Sequence, residues 1–537
     1  MRRWDCRTVS DLNRRQLLQA TGVTAATVTA AIGVAACGTK EGAPPPEVNS
    51  PGRFRALADA EFQGGYPTEQ AASLLSDELY FQRAVQAYLW ALPAVNMYAM
   101  KKGLGAVAGT GYNVMSVYEK RLKPNTVITT PNSDVIYCMG FADLSQTGPL
   151  VLEAPPKIQG LMDDFWHRPL TGPNINGVQY LGDIGIPGPD RGNGGKYLVV
   201  PTGQTIEDLG VDPKDYYLYE CSTNGVFIFQ RGFFQSVDDL TPGVKAVEGL
   251  VVRPLKGAAE PMKFQHVSDL PANALFAHDA SYFDMLNELI QSERLDSVDP
   301  YMHGTLAALG IAKGGKFEPS ARQRELLDLG ARTAWKMAKN IAAHFDQETN
   351  ALWWSDRHWV AHAKTELDDF WHTLLDEQFR DRKTGYTDVN AKAHMFINAY
   401  SISTGMMSSI VGAGAKYGAA YKDSKGEYLR GENTYTIDLP ANPPANILWS
   451  VTVYDAETAS GVDVPGQSYP SLNSMNNLKF NPDGSVTFHI GPNPPDGATN
   501  WLKTVPGKGW FSLIRWYGPK QEFFDHKYKP GDFVKVS

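Results

Sequence analysis

Residues 126–141 read TVITTPNSDVIYCMGF, in which a Pro-Asn-Ser-Asp turn joins two short apolar runs. Val127 and Ile128 belong to the first run, and residues 135–137 open the second. Valine, isoleucine and tyrosine are typical strand residues, whereas proline followed by asparagine is typical of turns. This stretch therefore predicts two neighbouring β-strands.

Similar apolar runs, separated by Gly, Pro and Asn, recur along the chain at residues 150–152, 197–200, 226–229, 434–439, 447–454, 486–490 and 510–517. Residues 280–294, 319–345 and 361–378 lack strand alternation and are rich in Ala, Leu and charge, which favours helices. Residues 69–92 carry apolar side chains at helical spacing, and we expect Pro93 to end or kink that helix.

These patterns predict a mixed, β-rich fold class. We expect two antiparallel β-sandwich or jelly-roll-like domains, an α-helical region between them and an N-terminal helix. The predicted parts are a signal peptide (1–36), a flexible tether (37–68), a helix plus first β-sandwich domain (69–262), a helical region (263–425) and a second β-sandwich domain (426–537).

Composition excludes several classes of protein. The 537 residues are 43% hydrophobic and 20% charged, so the chain is neither disordered nor a collagen or coiled coil. The formal net charge of −8 argues against nucleic acid as the main partner. The sequence has no phosphate-binding Gly-Lys-Ser/Thr loop, which argues against nucleotide-dependent chemistry. It also has no Gly-x-Ser-x-Gly elbow, which argues against a standard α/β-hydrolase.

The first 37 residues predict export. Residues 13–19, NRRQLLQ, have the pattern of a twin-arginine signal, and an uncharged stretch follows to Ala36. Residues 34–37, VAAC, are similar to a lipoprotein box with Val34 in place of the usual Leu. We therefore predict lipidation at Cys37 and attachment of the mature protein to a membrane of the cell envelope; a single-pass anchor is the alternative.

Cysteine usage leaves one question open. Cys138 and Cys221 remain in the mature chain, and a disulfide between them is permitted outside the cytoplasm. The chain has no Cys-x-x-Cys pair, which excludes Cys-based zinc or thioredoxin chemistry. The sequence predicts no particular cofactor, although the twin-arginine route often carries proteins that hold one.

Five motifs resemble two bacterial families. Residues 88–93 (YLWALP) and 130–137 (TPNSDVIY) resemble the family named domain of unknown function 1254. Residues 449–455 (WSVTVYD), 480–486 (FNPDGSV) and 510–519 (WFSLIRWYGP) resemble domain of unknown function 1214. The resemblance implies two β-sandwich-like modules around a helical region in an exported protein, and it implies no assigned reaction.

The candidate site residues lie at the ends of predicted strands and in the turns beside them. Those interpreted as catalytic are Asp134, Tyr137 and Arg231, and those interpreted as ligand-binding are Asn132, Trp166, Tyr454, Arg515 and Tyr517. An arginine between aromatic residues can bind a carboxylate, a phosphate or a sugar, and a tyrosine can act as an acid. The alternatives are an Asx-turn with a buried tyrosine, an Arg–Asp pair in an edge strand, and an exposed loop around Trp166.

A histidine pair offers a separate candidate. His358 and His362 have the i, i+4 spacing that places two metal ligands on one helical face, but the glutamate of the zinc-protease motif is missing. A surface or core role for these histidines is the alternative, and the metal stays unknown.

Three functions fit these observations. The first is an enzyme, hydrolytic or metal-assisted, that acts on a small or carbohydrate-like extracellular substrate. The second is a non-catalytic, ligand-binding envelope lipoprotein, and the third is a structural or partner-docking envelope protein. A pocket with convergent polar groups favours the first, and an aromatic platform without paired acid and base groups favours the second. A large exposed apolar patch favours the third.

Overall fold

A computed structural model describes residues 52–348, 351–361, 379, 385–407, 410–497 and 499–536. The predicted signal peptide, Cys37 and the first part of the predicted tether lie outside these ranges. The chain divides into two compact units, residues 1–82 and 83–537. Within the described ranges, none of the helices combines the length and the apolar character that crossing a bilayer requires.

The described part of the first unit is small. It contains helix α1 (Gly52–Ala58), a two-stranded hairpin of β1 (Phe62–Gln63) and β2 (Tyr66–Pro67), and the first turns of α2 (Glu69–Ala108). The other helices of the described residues are α3 (Leu144–Thr147), α4 (Ile206–Leu209), α5 (Thr241–Val247), α6 (Ser281–Ser292), α7 (Pro300–Ala308), α8 (Ala321–Ala343), α9 (Val389–Asn398), α10 (Thr404–Met407) and α11 (Gln521–Phe524).

Helix α2 continues through Pro93, where we expected an end or a kink. A proline in a helix interior removes one backbone hydrogen bond and costs about 3 kcal/mol. The side chains of Leu92, Val95 and Met97 are fully buried around it. Each such burial stabilises the fold by about 1.5–3 kcal/mol, so the packing of this part of α2 offsets the proline.

The first β module consists of two six-stranded sheets and a short two-stranded pair. Its strands are β3 (Val114–Val117), β4 (Thr126–Val127), β5 (Ile136–Asp143), β6 (Leu150–Ala154), β7 (Gln159–Asp164), β8 (Thr171–Ile175), β9 (Val178–Leu181), β10 (Asp183–Gly185), β11 (Gly195–Pro201), β12 (Tyr217–Cys221), β13 (Gly225–Gly232), β14 (Val251–Pro254), β15 (Lys263–His266) and β16 (Ala272–Asn273). The strand orders are β10-β7-β13-β5-β3-β15 and β14-β6-β11-β12-β8-β9, and β16 pairs with β4. Most pairs are antiparallel as predicted, but β3–β15, β11–β12 and β4–β16 are parallel.

The core of this module takes alternate side chains from both sheets. Ile136 and Cys138 of β5 belong to the same apolar cluster as Leu152 of β6 and Val199 of β11. Because successive side chains of a strand point to opposite faces, the intervening Tyr137 lies on the other face of its sheet.

The second β module has a five-stranded and a four-stranded sheet. Its strands are β17 (Val360–Ala361), β18 (Ala415–Ala420), β19 (Tyr435–Leu439), β20 (Ala445–Asp455), β21 (Ser471–Asn473), β22 (Val486–Gly491), β23 (Trp501–Lys503), β24 (Trp510–Pro519) and β25 (Val534–Lys535). The orders are β17-β18-β24-β20-β21 and β23-β22-β19-β25. Val451, Ile514 and Trp516 share a core with Ile437 and Phe488, so both sheets again contribute to one cluster.

The region between the modules is not purely helical. It holds α6 to α10, but β15 joins the first module and β17 and β18 join the second. The helical spacing assumed for the histidine pair is wrong at its start, because Val360 and Ala361 form strand β17 opposite Ala419 and Gly418. His362 lies outside the described residues.

Cys138 and Cys221 are free thiols rather than a disulfide. Both side chains are fully buried members of the first module's core. Burial raises the pKa of the Cys221 thiol to about 12, so it stays protonated and behaves as an apolar side chain.

Candidate functional site

The first wall of the candidate site is a row of neighbouring side chains on one face of the sheet that contains β7, β13 and β5. Arg231 of β13 lies opposite Tyr137 on one side and Gln159 on the other. Side chains at such paired positions lie about 5 Å apart on one face. The row faces away from the module's own core, which uses the alternate positions.

The second wall is a row across the sheet of β18, β24 and β20. Arg515 of β24 lies opposite Tyr417 on one side and Ser450 on the other. Tyr517 is two residues further along β24 and therefore on the same face. Trp516, between them, belongs to the second module's core.

A cavity of about 30 Å³ lies between these walls. That volume holds one or two waters or one small polar group. Its lining residues are Thr130, Tyr137, Arg231, Met395, Ala399, Tyr400, Met406, Tyr417, Leu513, Arg515 and Tyr517. None of these described lining residues is an Asp, Glu, His, Cys or Lys, so the lining contributes two guanidinium groups and no acid.

Arg231 is buried with little to satisfy its five N–H donors. The residue is only 4% exposed to solvent. Nε has no hydrogen-bond partner among the described residues, and Nη2 reaches only the sulfur of Met406 at 4.0 Å. The guanidinium carbon lies 4.6 Å from the ring centre of Phe229 and 5.9 Å from that of Tyr137. Its guanidinium thus lies near two aromatic rings, and Asp183 interacts with it electrostatically.

Arg515 is buried too, but its donors are partly used. Nη1 donates to the Thr452 hydroxyl at 3.0 Å, and Nη2 donates to the Thr130 carbonyl at 3.2 Å. The guanidinium carbon lies 5.5 Å from the ring centre of Tyr454. The Tyr454 hydroxyl donates to the Pro131 carbonyl at 2.6 Å, which ties the turn before β5 to the second module.

The charge state of the cavity follows from these contacts. Burial alone would lower the pKa of Arg231 and Arg515, but the surrounding tyrosines hold both above the usual value. Burial raises the pKa of Tyr417 and of Tyr517. At neutral pH the cavity therefore has two positive guanidinium groups, and Tyr417 and Tyr517 keep their phenolic protons.

Asn132 orients the hydroxyl group of Tyr517. Its side-chain amide nitrogen donates to the Tyr517 hydroxyl, and its side-chain oxygen accepts from the Asp134 backbone N–H at 2.7 Å. Because the Tyr517 oxygen accepts this bond, its own proton is available to a molecule in the cavity. The two guanidinium groups and the Tyr517 hydroxyl are hydrogen-bond donors, which suits a ligand that accepts hydrogen bonds.

The loop that carries Tyr400 and Met406 is held by three buried side chains of the first module. His167 accepts from the Ser401 N–H at 3.1 Å, Asp163 from Ile402 at 3.1 Å and Asp183 from Gly405 at 2.6 Å. Burial lowers the pKa of His167 to about 3, which keeps the ring neutral and able to accept. These bonds position the loop against the first sheet.

Backbone strain marks the same place. Thr130 and Ser401 have backbone φ angles of 35° and 63°, which residues other than glycine rarely adopt. Each costs of order 1–3 kcal/mol, and the surrounding hydrogen bonds maintain it. The Thr130 N–H, for example, donates to the Ala459 carbonyl at 2.6 Å.

The sequence-predicted residues divide into three groups. Tyr137, Arg231, Arg515 and Tyr517 line the cavity, and Asn132 and Tyr454 contact those residues. Asp134 and Trp166 lie outside the lining.

Asp134 has a separate network. Its carboxylate accepts from the Ser471 hydroxyl at 3.0 Å and from the Asn473 amide at 2.8 Å, and an Arg121 nitrogen lies 3.7 Å away. The side chain is fully buried, so these contacts between distant segments hold the turn to β21. This arrangement fits the Asx-turn alternative better than an acid–base role.

Trp166 packs against Trp90, with ring centres 4.7 Å apart, and its indole nitrogen has no partner among the described residues. Tyr400, Tyr417 and Met406 line the cavity although sequence reasoning did not select them. In the described residues no group of three or more His, Cys, Asp or Glu is arranged to hold a metal ion.

Comparisons with known proteins identify the two modules. Residues 112–254 match the family described as "Protein of unknown function (DUF1254)", and residues 414–521 match "Protein of unknown function (DUF1214)". The chain thus matches both family models, in the order that the sequence motifs predicted. Each family contributes one wall of the cavity, because Arg231 belongs to the first match and Arg515 to the second.

Two solved structures are similar over most of the chain. The VPA0106 protein from Vibrio parahaemolyticus is 16% identical, covers 85% of this chain and 100% of its own, and gives a TM-score of 0.48. An uncharacterized protein from Burkholderia cenocepacia is 12% identical, covers 87% of this chain and 98% of its own, and gives a TM-score of 0.38. No curated protein matches the chain.

Proposed function

We propose that this protein is an exported, lipid-anchored protein of the cell envelope that binds a small carboxylate between its two β modules. The observation that carries the proposal is the pair of buried guanidinium groups, Arg231 and Arg515, at one cavity whose described lining holds no acid. The binding role develops the second of the three functions that the sequence allows.

Electrostatics favours an anionic ligand. An unpaired buried charge costs several kcal/mol even after the protein relaxes around it. A carboxylate placed between the two guanidinium groups would supply the missing negative charge and accept bonds from their free N–H donors. The phenols of Tyr137, Tyr417 and Tyr517 would donate to its oxygens.

The size of the cavity limits the ligand. About 30 Å³ accommodates a carboxylate with one or two carbon atoms, but not a sugar ring. Acetate is therefore the natural probe. A longer ligand needs more space than this cavity provides.

Binding is better supported than hydrolysis. A hydrolase needs a base in contact with the substrate, and tyrosines with a raised pKa keep their protons at neutral pH. Asp163 and Asp183 use carboxylate oxygens on backbone N–H groups of the loop. An enzymatic role, hydrolytic or metal-assisted, would require a base from elsewhere.

The proposal includes two features of the whole chain. Export and lipidation at Cys37 are supported by the twin arginines, the uncharged stretch and the Ala-Ala-Cys sequence. Mass spectrometry of the protein recovered from membranes should find a diacyl or triacyl group on Cys37 as the first residue; an unmodified Cys37 would refute the anchor. A sandwich in each β module is supported by the cores that both sheets share.

Calorimetric titration of the mature protein with acetate tests the binding proposal. We expect acetate to bind saturably to one site. Phosphate and glucose are titrated in the same way, because they represent the alternative ligand classes. Arg515→Met and Arg231→Met should each remove acetate binding, whereas Arg253→Met, at a half-exposed arginine on β14, should not. Binding of glucose instead of acetate would favour the carbohydrate alternative, and binding unaffected by either arginine would refute the site.

A further inference from the structure

A second, larger cavity lies at the end of helix α8. Its volume is about 340 Å³, within the range of small-molecule sites. Trp335 and Lys339 of α8 line it together with Asn398 at the end of α9 and Trp510 and Phe511 of β24. It shares no lining residue with the Arg231–Arg515 cavity.

Lys339 supplies a cation with one unassigned donor. Its ammonium nitrogen donates to the Asn398 side-chain oxygen at 2.9 Å and to the Ala456 carbonyl at 3.0 Å. An ammonium group has three donors, so one hydrogen remains for a ligand. The nearby Asp455 carboxylate is bound by Lys508 at 2.7 Å, and both partners of Lys339 are neutral.

Trp510 supplies a second donor. The residue is 3% exposed, and its indole nitrogen has no hydrogen-bond partner among the described residues. A buried N–H without a partner costs about 1–3 kcal/mol unless a ligand or water accepts it. Within the described part of the chain, Lys339 and Trp510 thus each have a donor without a partner in a cavity whose charged lining residues also include Glu457 and Arg430.

The remaining walls are aromatic. The rings of Trp335, Tyr421, Tyr428 and Phe511 line the same space, and the Lys339 nitrogen lies 5.9 Å from the Trp335 ring centre. The Tyr421 and Phe511 rings are stacked at 5.0 Å. Flat rings packed in this way favour a flat, apolar ligand.

We propose that this cavity is a second binding site, which takes an aromatic carboxylate. Its ring system lies among the aromatic walls, and its carboxylate accepts from Lys339 and from the Trp510 indole N–H. This site is separate from the proposed small-carboxylate site and does not depend on it. A bicyclic ring with one carboxylate fits the volume, whereas the smaller cavity excludes it.

The titration of Lys339 supports the same ligand. Burial lowers its pKa to about 7, and Asp455 and Glu457 act in the opposite direction. Glu457 itself lines the cavity, and the other charged or titratable lining residues are Arg430, Tyr421 and Tyr428. Since a carboxylate prefers the ammonium form, its affinity should fall as the pH rises above about 7.

Calorimetry and tryptophan fluorescence with 2-naphthoate test the proposal. We expect one site per chain, quenched tryptophan emission, and a dissociation constant that increases about tenfold between pH 6.5 and 8.5. Lys339→Met should weaken binding at least tenfold, and its remaining binding should lose this pH dependence. Lys336→Met, an exposed lysine on the same helix, should bind like the native protein.

Neutral 2-naphthamide and the variant Arg231→Met complete the test. The amide should bind at least tenfold more weakly than the acid at pH 6.5, and Arg231→Met should leave 2-naphthoate binding unchanged. Equal binding of acid and amide, loss of binding in Arg231→Met, or no saturation would each overturn the proposal. If Lys339→Met fails to fold, the pH profile and the amide comparison on native protein still decide it.

Discussion

Replacing Arg231 by methionine should make the ligand-free protein more stable and at the same time remove its proposed binding activity. Arg231 is buried, and its single hydrogen-bond contact among the described residues is a sulfur at 4.0 Å. Methionine has a similar length and no charge, so it can fill the same space beside Phe229 without the desolvation cost. Opposite changes in stability and binding are typical of residues maintained for function.

The size of both effects follows from the contacts of Arg231. Replacing an unpaired buried charge by an apolar side chain is often stabilising by 1–4 kcal/mol. Because aromatic faces and nearby Asp183 already offset part of the cost, we expect a gain of about 1–3 kcal/mol in the free energy of unfolding. Loss of one or two charge-assisted hydrogen bonds, about 2–4 kcal/mol in total, should weaken acetate binding roughly 30- to 1,000-fold.

Urea unfolding followed by tryptophan fluorescence, in a buffer without carboxylates, measures the stability change. The control is Arg121→Met, because buried Arg121 donates to the Ser133 carbonyl and lies 3.7 Å from the Asp134 carboxylate. That variant leaves a buried acid with less compensation and should lose about 3–5 kcal/mol. If Arg231→Met loses as much as Arg121→Met, Arg231 has a structural role and the reasoning fails.

Three further predictions concern buried polar groups. Burial raises the pKa of Asp183 to about 7, so the folded chain binds an extra proton between pH 4 and 7, and the free energy of unfolding should fall as the pH rises through that window. Urea unfolding at pH 4.5 and 7 should show this fall reduced in Asp183→Asn, by up to about 3 kcal/mol, and an equal fall would contradict the burial argument. Both polar side-chain atoms of Gln230 lack partners among the described residues, so Gln230→Met should raise the free energy of unfolding by about 1–3 kcal/mol; a loss would indicate a bound water. Asp134→Ala should lower it by about 3–5 kcal/mol, because Ser471 and Asn473 lose their common acceptor, and an unchanged urea midpoint would exclude a structural role.

Local patterns in the sequence were sufficient to predict many of the elements. The alternation in residues 486–490 becomes strand β22, and the aromatic run at 510–517 lies within β24. Strand propensity and turn residues act over a few positions, so they can be read without knowing the fold. The parallel pairs were not predictable from local patterns. Strand β15 pairs with β3, but most of the first module lies between them in the sequence.

The candidate site shows the same limit. Tyr137, Arg231 and Arg515 were selectable because each places a polar or charged group within an apolar strand. Tyr400 could not be selected, because its loop reaches the cavity only through buried groups more than two hundred residues earlier, such as Asp163. Contacts at such separations depend on sheet packing, which no local pattern records.

The histidine pair illustrates the opposite error. Helical spacing suggested a metal site, but residues 360–361 form a strand because β18 offers an edge to pair with. Spacing of two side chains defines a site only when the secondary structure between them is known.

Carboxylate binding can be seen in two crystal structures of the protein without its predicted signal peptide, one grown with acetate and one grown without any carboxylate. With acetate we expect density for one carboxylate between the guanidinium groups of Arg231 and Arg515, with the Tyr517 hydroxyl within hydrogen-bond distance of its oxygens. A cavity that holds only water at saturating acetate would contradict it.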